Sequence, residues 1–228
     1  ANAPDWLPLT VLLDGERFAL DRGDVLDFKR ELDLRTGLLT RVVRWQSPAG
    51  LTATLTFERF VSLADEHLAY IRCTVVPEAA CEIEFRAGLH GAMDNEGAAH
   101  WLRLDQGSHD SDGPLPTVHL HTRTRTSGID WVGAMRLIGS GGRRAAAMFW
   151  DVDNAPTLVL KVKATAGKPV SAEKRVAQYT SRDLAPDEAV ATAVAHVSRA
   201  ESWKAAFKAS VECWKTEWDR TNVTIEGD

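Results

Sequence analysis

The sequence predicts a mainly β fold, a large antiparallel β-sandwich (a supersandwich) followed by a C-terminal helical linker. Alternation of apolar and polar side chains with a period of two recurs through the first four-fifths of the chain. Short turn signals separate these runs, and the helix-length segments that a parallel α/β sheet needs between its strands are missing. The last fifth switches to a helical period.

The clearest alternation lies at residues 51–58. Leu51, Ala53, Leu55 and Phe57 point one way, and Thr52, Thr54, Thr56 and Glu58 the other. Residues 81–87 repeat it, with Cys81, Ile83, Phe85 and Ala87 set against Glu82, Glu84 and Arg86. Such a pattern describes a sheet with one face buried and one wet. Looser runs occur at 9–13, 25–34, 38–46, 68–76, 117–125, 131–138, 145–150, 157–163 and 169–179. Asp14-Gly15, Thr36-Gly37, Pro48-Ala49-Gly50, Gly139–Gly142 and Ala166-Gly167 supply the turns between them. The stretch 88–116 reads as the longest loop, where binding residues tend to gather on a β scaffold.

Residues 186–197 follow a Pro-Asp-Glu start and predict a short helix. Ser198-Arg199-Ala200-Glu201 then matches a capping box that would start a second helix. At 100° per residue, Trp203, Phe207, Val211, Trp214 and Trp218 fall within an arc of about 80°. A stripe of this kind is read as core, with a sugar platform as the alternative. A two-layer sandwich has no obvious need of so large an apolar helix, which leaves open the core it packs into.

The 228 residues carry 27 Lys and Arg against 32 Asp and Glu, a formal charge of -5. A chain of this length buries enough surface to hold a core without disulfides or metal. It lacks a Lys/Arg stripe, which argues against nucleic acid as a partner. No run of about 18 apolar residues and no basic-plus-apolar leader is present, which argues against a membrane. Cys73, Cys81 and Cys213 are odd in number and form no C-x-x-C pair. That pattern points to free thiols in a reducing, cytoplasmic setting. Asn222-Val223-Thr224 matches a glycosylation acceptor and is read as chance.

No constellation assembles an active site. Asp105, Ser108, Asp110 and Asp112 lack the order of a calcium loop and read as solvated. His119 and His121 have a spacing open to two metal ligands, but the plainer reading is a solvent-facing polar strand continued by Arg123 and Arg125. Asp151 and Asp153 sit beside Asn154-Ala155-Pro156 and read as a turn. Gly139–Arg144 is Gly-rich but meets neither phosphate-loop pattern.

Several blocks resemble a known family. They are Asp5-Trp6-Leu7-Pro8-Leu9, Arg30-Glu31-Leu32-Asp33-Leu34-Arg35-Thr36-Gly37-Leu38-Leu39-Thr40-Arg41 and Arg59-Phe60-Val61-Ser62-Leu63-Ala64-Asp65. Glu173–Ala177, Tyr179–Asp183, the Trp-rich helix and Val223–Asp228 follow in order. Together they resemble the N-terminal region of glycoside hydrolase family 65, which holds maltose, kojibiose, nigerose and trehalose phosphorylases and acid trehalases. The resemblance implies a β-sandwich at 1–184 and a helical linker at 185–228, leading to an (α/α)6 barrel that this chain lacks. It places the family's catalytic Glu and phosphate-binding residues in that barrel, so no catalytic residue transfers to this sequence.

The chemistry so implied is inverting cleavage of an α-glucosyl disaccharide. A carboxylic acid protonates the glycosidic oxygen while phosphate or activated water attacks the opposite face of the anomeric carbon. Inorganic phosphate would be a co-substrate, no cofactor is implied, and a homodimer is the expected assembly. Asp94, Asn95 and Trp101, in the 88–116 stretch, are the candidate sugar contacts, with simple loop packing as the alternative. A different class of function, an independent carbohydrate-binding module, would use Trp101 or Trp131 as a stacking platform.

Overall fold

The computed structural model describes residues 2–109, 115–148, 155–223 and 227. Asp110 and Asp112 of the calcium reading, Asp151, Asp153 and Asn154 of the turn reading, and Thr224 of the acceptor triplet lie outside the described residues, as do the end of the 145–150 run and most of the Val223–Asp228 block.

The strands in chain order are β1 (Leu9–Leu13), β2 (Glu16–Arg17), β3 (Asp24–Asp33), β4 (Leu38–Gln46), β5 (Thr52–Val61), β6 (Leu68–Pro77), β7 (Cys81–Gly88), β8 (Asp94–Asn95), β9 (Ala98–Ala99), β10 (Trp101–His109), β11 (Thr117–Thr124), β12 (Asp130–Gly139), β13 (Arg143–Arg144), β14 (Ala146–Met148), β15 (Thr157–Ala164) and β16 (Val170–Thr180). Two helices follow, α1 (Pro186–Arg199) and α2 (Trp203–Thr221). The alternating runs thus become strands within a residue or two of their expected bounds, apart from the longer C-terminal end of β5 and the shorter β14.

A nine-stranded sheet runs β10-β11-β12-β16-β6-β5-β4-β3, with β13 paired to β12, and a five-stranded sheet runs β14-β15-β7-β1-β2. All strand pairs are antiparallel, as short turns between neighbours require. The smaller sheet packs on one face of the larger. Val11, Leu13, Ile83, Phe85, Leu158 and Leu160 interleave with Val43, Leu55, Cys73, Val75, Met135 and Val176 in a water-free core. Cys73 is buried here as a small hydrophobe, and burial pushes its thiol well above the ordinary value. Gly133 is required on β12 because the Trp131 ring lies across it, and a Cβ there would sit 2.3 Å from the ring.

The opposite face of the large sheet carries a second core. Helix α1 lies across β11, β12 and β16, burying Ala189, Ala193, Val194 and Val197 against Val132, Ala134, Ala177 and Tyr179. Trp203 meets Phe60 edge-on at 4.9 Å, and Phe60 stacks on Tyr70 at 5.0 Å. Trp203, with Phe207 packed beside it, is therefore core as the periodicity implies, whereas Val211, Trp214 and Trp218 are only half-buried. The core that the start of the stripe enters is this chain's own sheet. The capping box is corrected. Ser198 lies in the last turn of α1, where its hydroxyl donates to the Val194 carbonyl at 2.6 Å, and the α2 cap is Ser202, which accepts from the Ala205 N–H.

The 88–116 stretch is not a loop throughout. It contains the β8–β9 hairpin and β10, an edge strand paired along its length with β11. Asp105, Gly107 and Ser108 weaken the strand signal in sequence, and the register shift between Arg103 and Asp105 breaks the alternation.

Candidate functional site

Strands β4 and β5 run out of the covered core onto an open flank. Val43 and Trp45 on β4, and Ala53 and Leu55 on β5, are fully buried under the small sheet. Farther along the same face come Leu39 and Arg41 on β4 and Phe57 and Arg59 on β5, all half-buried. Register extends the face onto β3, because residues directly opposite share a side. Phe28 faces Val43, Arg30 faces Arg41 and Leu32 faces Leu39, while Arg59 faces Leu39 on one neighbour and Ile71 on the other. Val25, Phe28 and Leu32 are 42%, 48% and 52% exposed. The reverse face of β3 carries Lys29, Glu31 and Asp33, so the strand has an apolar side and a charged side, and among the described residues nothing covers the apolar one.

A tight turn fixes this register. Asp33 accepts from the Arg35 N–H at 2.9 Å and from the Thr36 hydroxyl at 2.8 Å, and Gly37 takes the left-handed φ of 68° that closes the turn. The Thr36 hydroxyl and Arg35 amide hold the Asp33 carboxyl below its usual value. The Trp214 ring lies over Gly37, where a Cβ would come within 2.5 Å of the indole nitrogen. Trp218 donates its indole N–H to the Leu34 carbonyl at 2.8 Å. The far half of the tryptophan stripe thus braces the β3–β4 hairpin.

Arg30, Arg41 and Arg59 line a cavity of about 270 Å³ together with Leu7, Leu9, Leu39, Phe57 and Ile71. The Arg41 guanidinium lies 4.4 Å from the Phe57 ring centroid, and Phe57 in turn stacks on Phe18 at 5.7 Å. Arg41 Nε is buried without a hydrogen-bond partner. Burial holds Arg41 below the ordinary guanidinium value, and Arg30 and Arg59 push the same way. Arg59 is lowered by burial and by Arg30, against the pull of Asp5. Glu58 also borders the cavity, but its carboxylate is committed to Arg72 at 2.8 Å.

One wall of this cavity is the segment before β1, held by Lys174. That side chain is fully buried, and its ammonium donates to the carbonyls of Trp6, Pro8 and Gly88 at 2.6, 3.0 and 2.6 Å. Burial pulls its pKa down to about 7.

On the helix side of the sheet, His119 and His121 are buried, which corrects the solvent-facing reading. Helix α1 packs on that face, side chains of the neighbouring β10 flank His119, and each histidine meets a carboxylate. His119 Nε2 lies 2.9 Å from Asp105 and its Nδ1 2.9 Å from His109 Nε2, while His121 Nε2 lies 2.6 Å from Asp130. Asp130 also receives Arg123 at 3.0 Å. Burial lowers His119, favouring the neutral ring, which gives one N–H to Asp105 and accepts one from His109. The His119 contacts fasten β10 to β11, and the Asp130 contacts tie β11 to β12. Among the described residues no group of three or more His, Cys, Asp or Glu side chains is arranged to hold a metal ion.

The candidate sugar contacts lie together at the other end of the molecule. Asp94 and Asn95 are exposed on the β8–β9 hairpin. Asn95 accepts from the Asn2 amide at 3.4 Å, and the half-buried Trp101 donates to the Asn2 carbonyl at 2.7 Å. Trp101 also packs against the inter-sheet core. Trp131 is 5% exposed inside that core, so it cannot serve as a stacking platform. The arginine cavity was not among the expected sites. Its three arginines stand in the blocks that carry the family resemblance, but only register brings them together.

The molecule is thus a two-sheet β-sandwich with a helical layer on its outer face and a cationic cavity on its flank. The chain belongs to glycosyl hydrolase family 65, whose N-terminal domain model matches residues 1–217. It is 29% identical to the kojibiose phosphorylase of Halothermothrix orenii over 99% of this chain and 30% of that protein. It is 26% identical to the α,α-trehalose phosphorylase of Thermoanaerobacter brockii over the whole of this chain and 31% of that protein. The chain therefore spans less than a third of the length of these relatives. A solved structure described as a candidate kojibiose phosphorylase from the human microbiome superposes with a TM-score of 0.84 at 17% identity, covering 95% of this chain and 28% of that one. That superposition shows the sandwich-plus-helices fold.

Proposed function

We propose that this chain is the non-catalytic β-sandwich domain of a family 65 enzyme that cleaves an α-glucosyl disaccharide with inversion, using inorganic phosphate or water. The observation that carries this reading is the family match over nearly the whole chain, to relatives more than three times as long. In this reading the catalytic acid and the phosphate-binding groups belong to an (α/α)6 barrel outside these residues, and no cofactor takes part. The apolar side of β3 and the open ends of β4 and β5 are where that barrel docks. An exposed apolar edge strand invites pairing and aggregation unless something covers it, and Val25, Phe28 and Leu32 make this one apolar on a single side. Residues 185–228 lead toward the barrel after α1 and α2 have packed on the sheet. Asp94, Asn95 and Trp101 contribute sugar contacts at the rim, and the enzyme works as a cytoplasmic homodimer.

The purified chain incubated with maltose, kojibiose or trehalose and phosphate is expected to release neither glucose nor glucose phosphate. Turnover by the pure chain would overturn the reading.

A further inference from the structure

We propose that Arg30, Arg41 and Arg59 form a binding site for a phosphate-class oxyanion, supplied as inorganic phosphate or as the phosphoryl group of a sugar phosphate. Three neighbouring strands, β3, β4 and β5, deliver the guanidinium groups to one face of one sheet. Arg30 and Arg41 stand directly opposite each other. Like charges in that relation destabilise a sheet, so the arrangement calls for an anion. Among the described residues none of the three makes an ion pair or a side-chain hydrogen bond, and Glu58, beside them, is held by Arg72.

The cavity supplies the second observation. It is built, with apolar walls from Leu7, Leu9, Leu39, Phe57 and Ile71 and a floor to which Arg41 is fixed by the Phe57 ring. Arg41 Nε is already withdrawn from water and has no acceptor. An unpaired buried donor of this kind carries the full desolvation penalty, which an oxyanion would remove. Several planar guanidinium forks lining one cavity suit a compact anion with many acceptor lone pairs, and a phosphoryl group offers more of these than a carboxylate. Burial and the neighbouring guanidinium charges depress Arg41 and Arg59, and a bound anion would offset the repulsion. The inference does not depend on the family reading, since it rests on these residues alone.

Calorimetric titration of the chain at low ionic strength with inorganic phosphate, and separately with glucose 1-phosphate, tests it. The expected result is saturable one-to-one binding with a dissociation constant of about 1 mM or tighter. Arg41→Met and Arg59→Met should each weaken it at least ~10-fold, while Arg35→Gln in the adjacent turn leaves it unchanged. Circular dichroism checks the fold of each variant, and the exposed Arg30→Gln provides a substitution that leaves packing alone. Equal affinity for the two ligands assigns recognition to the phosphoryl group, and tighter sugar phosphate adds the apolar wall to the site. Flat titrations up to ~20 mM, or binding that survives all three substitutions, would overturn the proposal. Flat phosphate titrations with capture of an acidic protein segment instead would also overturn it.

Discussion

Two stretches of β4 and β5 share strands, face and alternation, yet differ in what lies above them. Over Val43, Trp45, Ala53 and Leu55 the small sheet excludes water completely. Over Leu39, Arg41, Phe57 and Arg59 it has ended, leaving a half-open cavity and, on β3, an apolar row in solvent. Alternation therefore reports which side of a strand is apolar, and does not report whether the same chain supplies the cover. The arginines sit at the border between the two regimes, where a charge is partly desolvated but not yet paired.

Lys174 closes that border by stapling the segment before β1, so its removal should have the largest effect. Lys174→Met leaves three buried carbonyls without a donor and should destabilise the chain by about 3–5 kcal/mol in urea denaturation. The same group gives a pH signature. Folded, it releases its proton near pH 7, whereas unfolded it keeps the proton up to the ordinary lysine value of 10.5. Between these values the unfolded chain binds more protons, so this group makes the wild type gain stability as pH rises. The difference between wild type and Lys174→Met should therefore grow from pH 7 to 10. A constant difference would show that the ammonium keeps its charge in the fold.

Substitutions on the two sides of the sheet come next. Trp203→Ala removes the anchor of the second core and the ring beneath the Arg72 guanidinium, at 4.6 Å, with an expected loss of about 3–5 kcal/mol. Leu55→Ala in the covered stretch should lose about 3 kcal/mol. Phe28→Ala on the open flank should change stability by less than ~0.5 kcal/mol. A Phe28→Ala loss near that of Leu55→Ala would erase the distinction between the two regimes.

Much of the fold was legible because period-two alternation is a direct record of one-sided burial, and β5 and β7 show it cleanly. Strand β10 was hidden by Asp105, Gly107 and Ser108, whose pairing depends on β11 rather than on their own propensity. The burial of His119 and His121 was equally hidden. A polar strand face reads as wet until one knows that a helix packs over it and that the neighbouring strand supplies carboxylate and imidazole partners. The helical period located the tryptophan stripe but not its target, since Phe60 and Tyr70 are distant in sequence. The arginine cavity depends on register, Arg30 opposite Arg41 and Arg59 opposite Leu39, and register is a property of paired strands that no single strand displays.

The docking claim is tested most directly by hydroxyl-radical footprinting of Phe28 and Leu32, once in this chain alone and once with the chain continued into a family 65 barrel. The account predicts rapid modification of both residues in the chain alone, with Phe85 protected as an internal standard, and strong protection of all three when the barrel is present. Equal modification of Phe28 and Leu32 in both forms would contradict it.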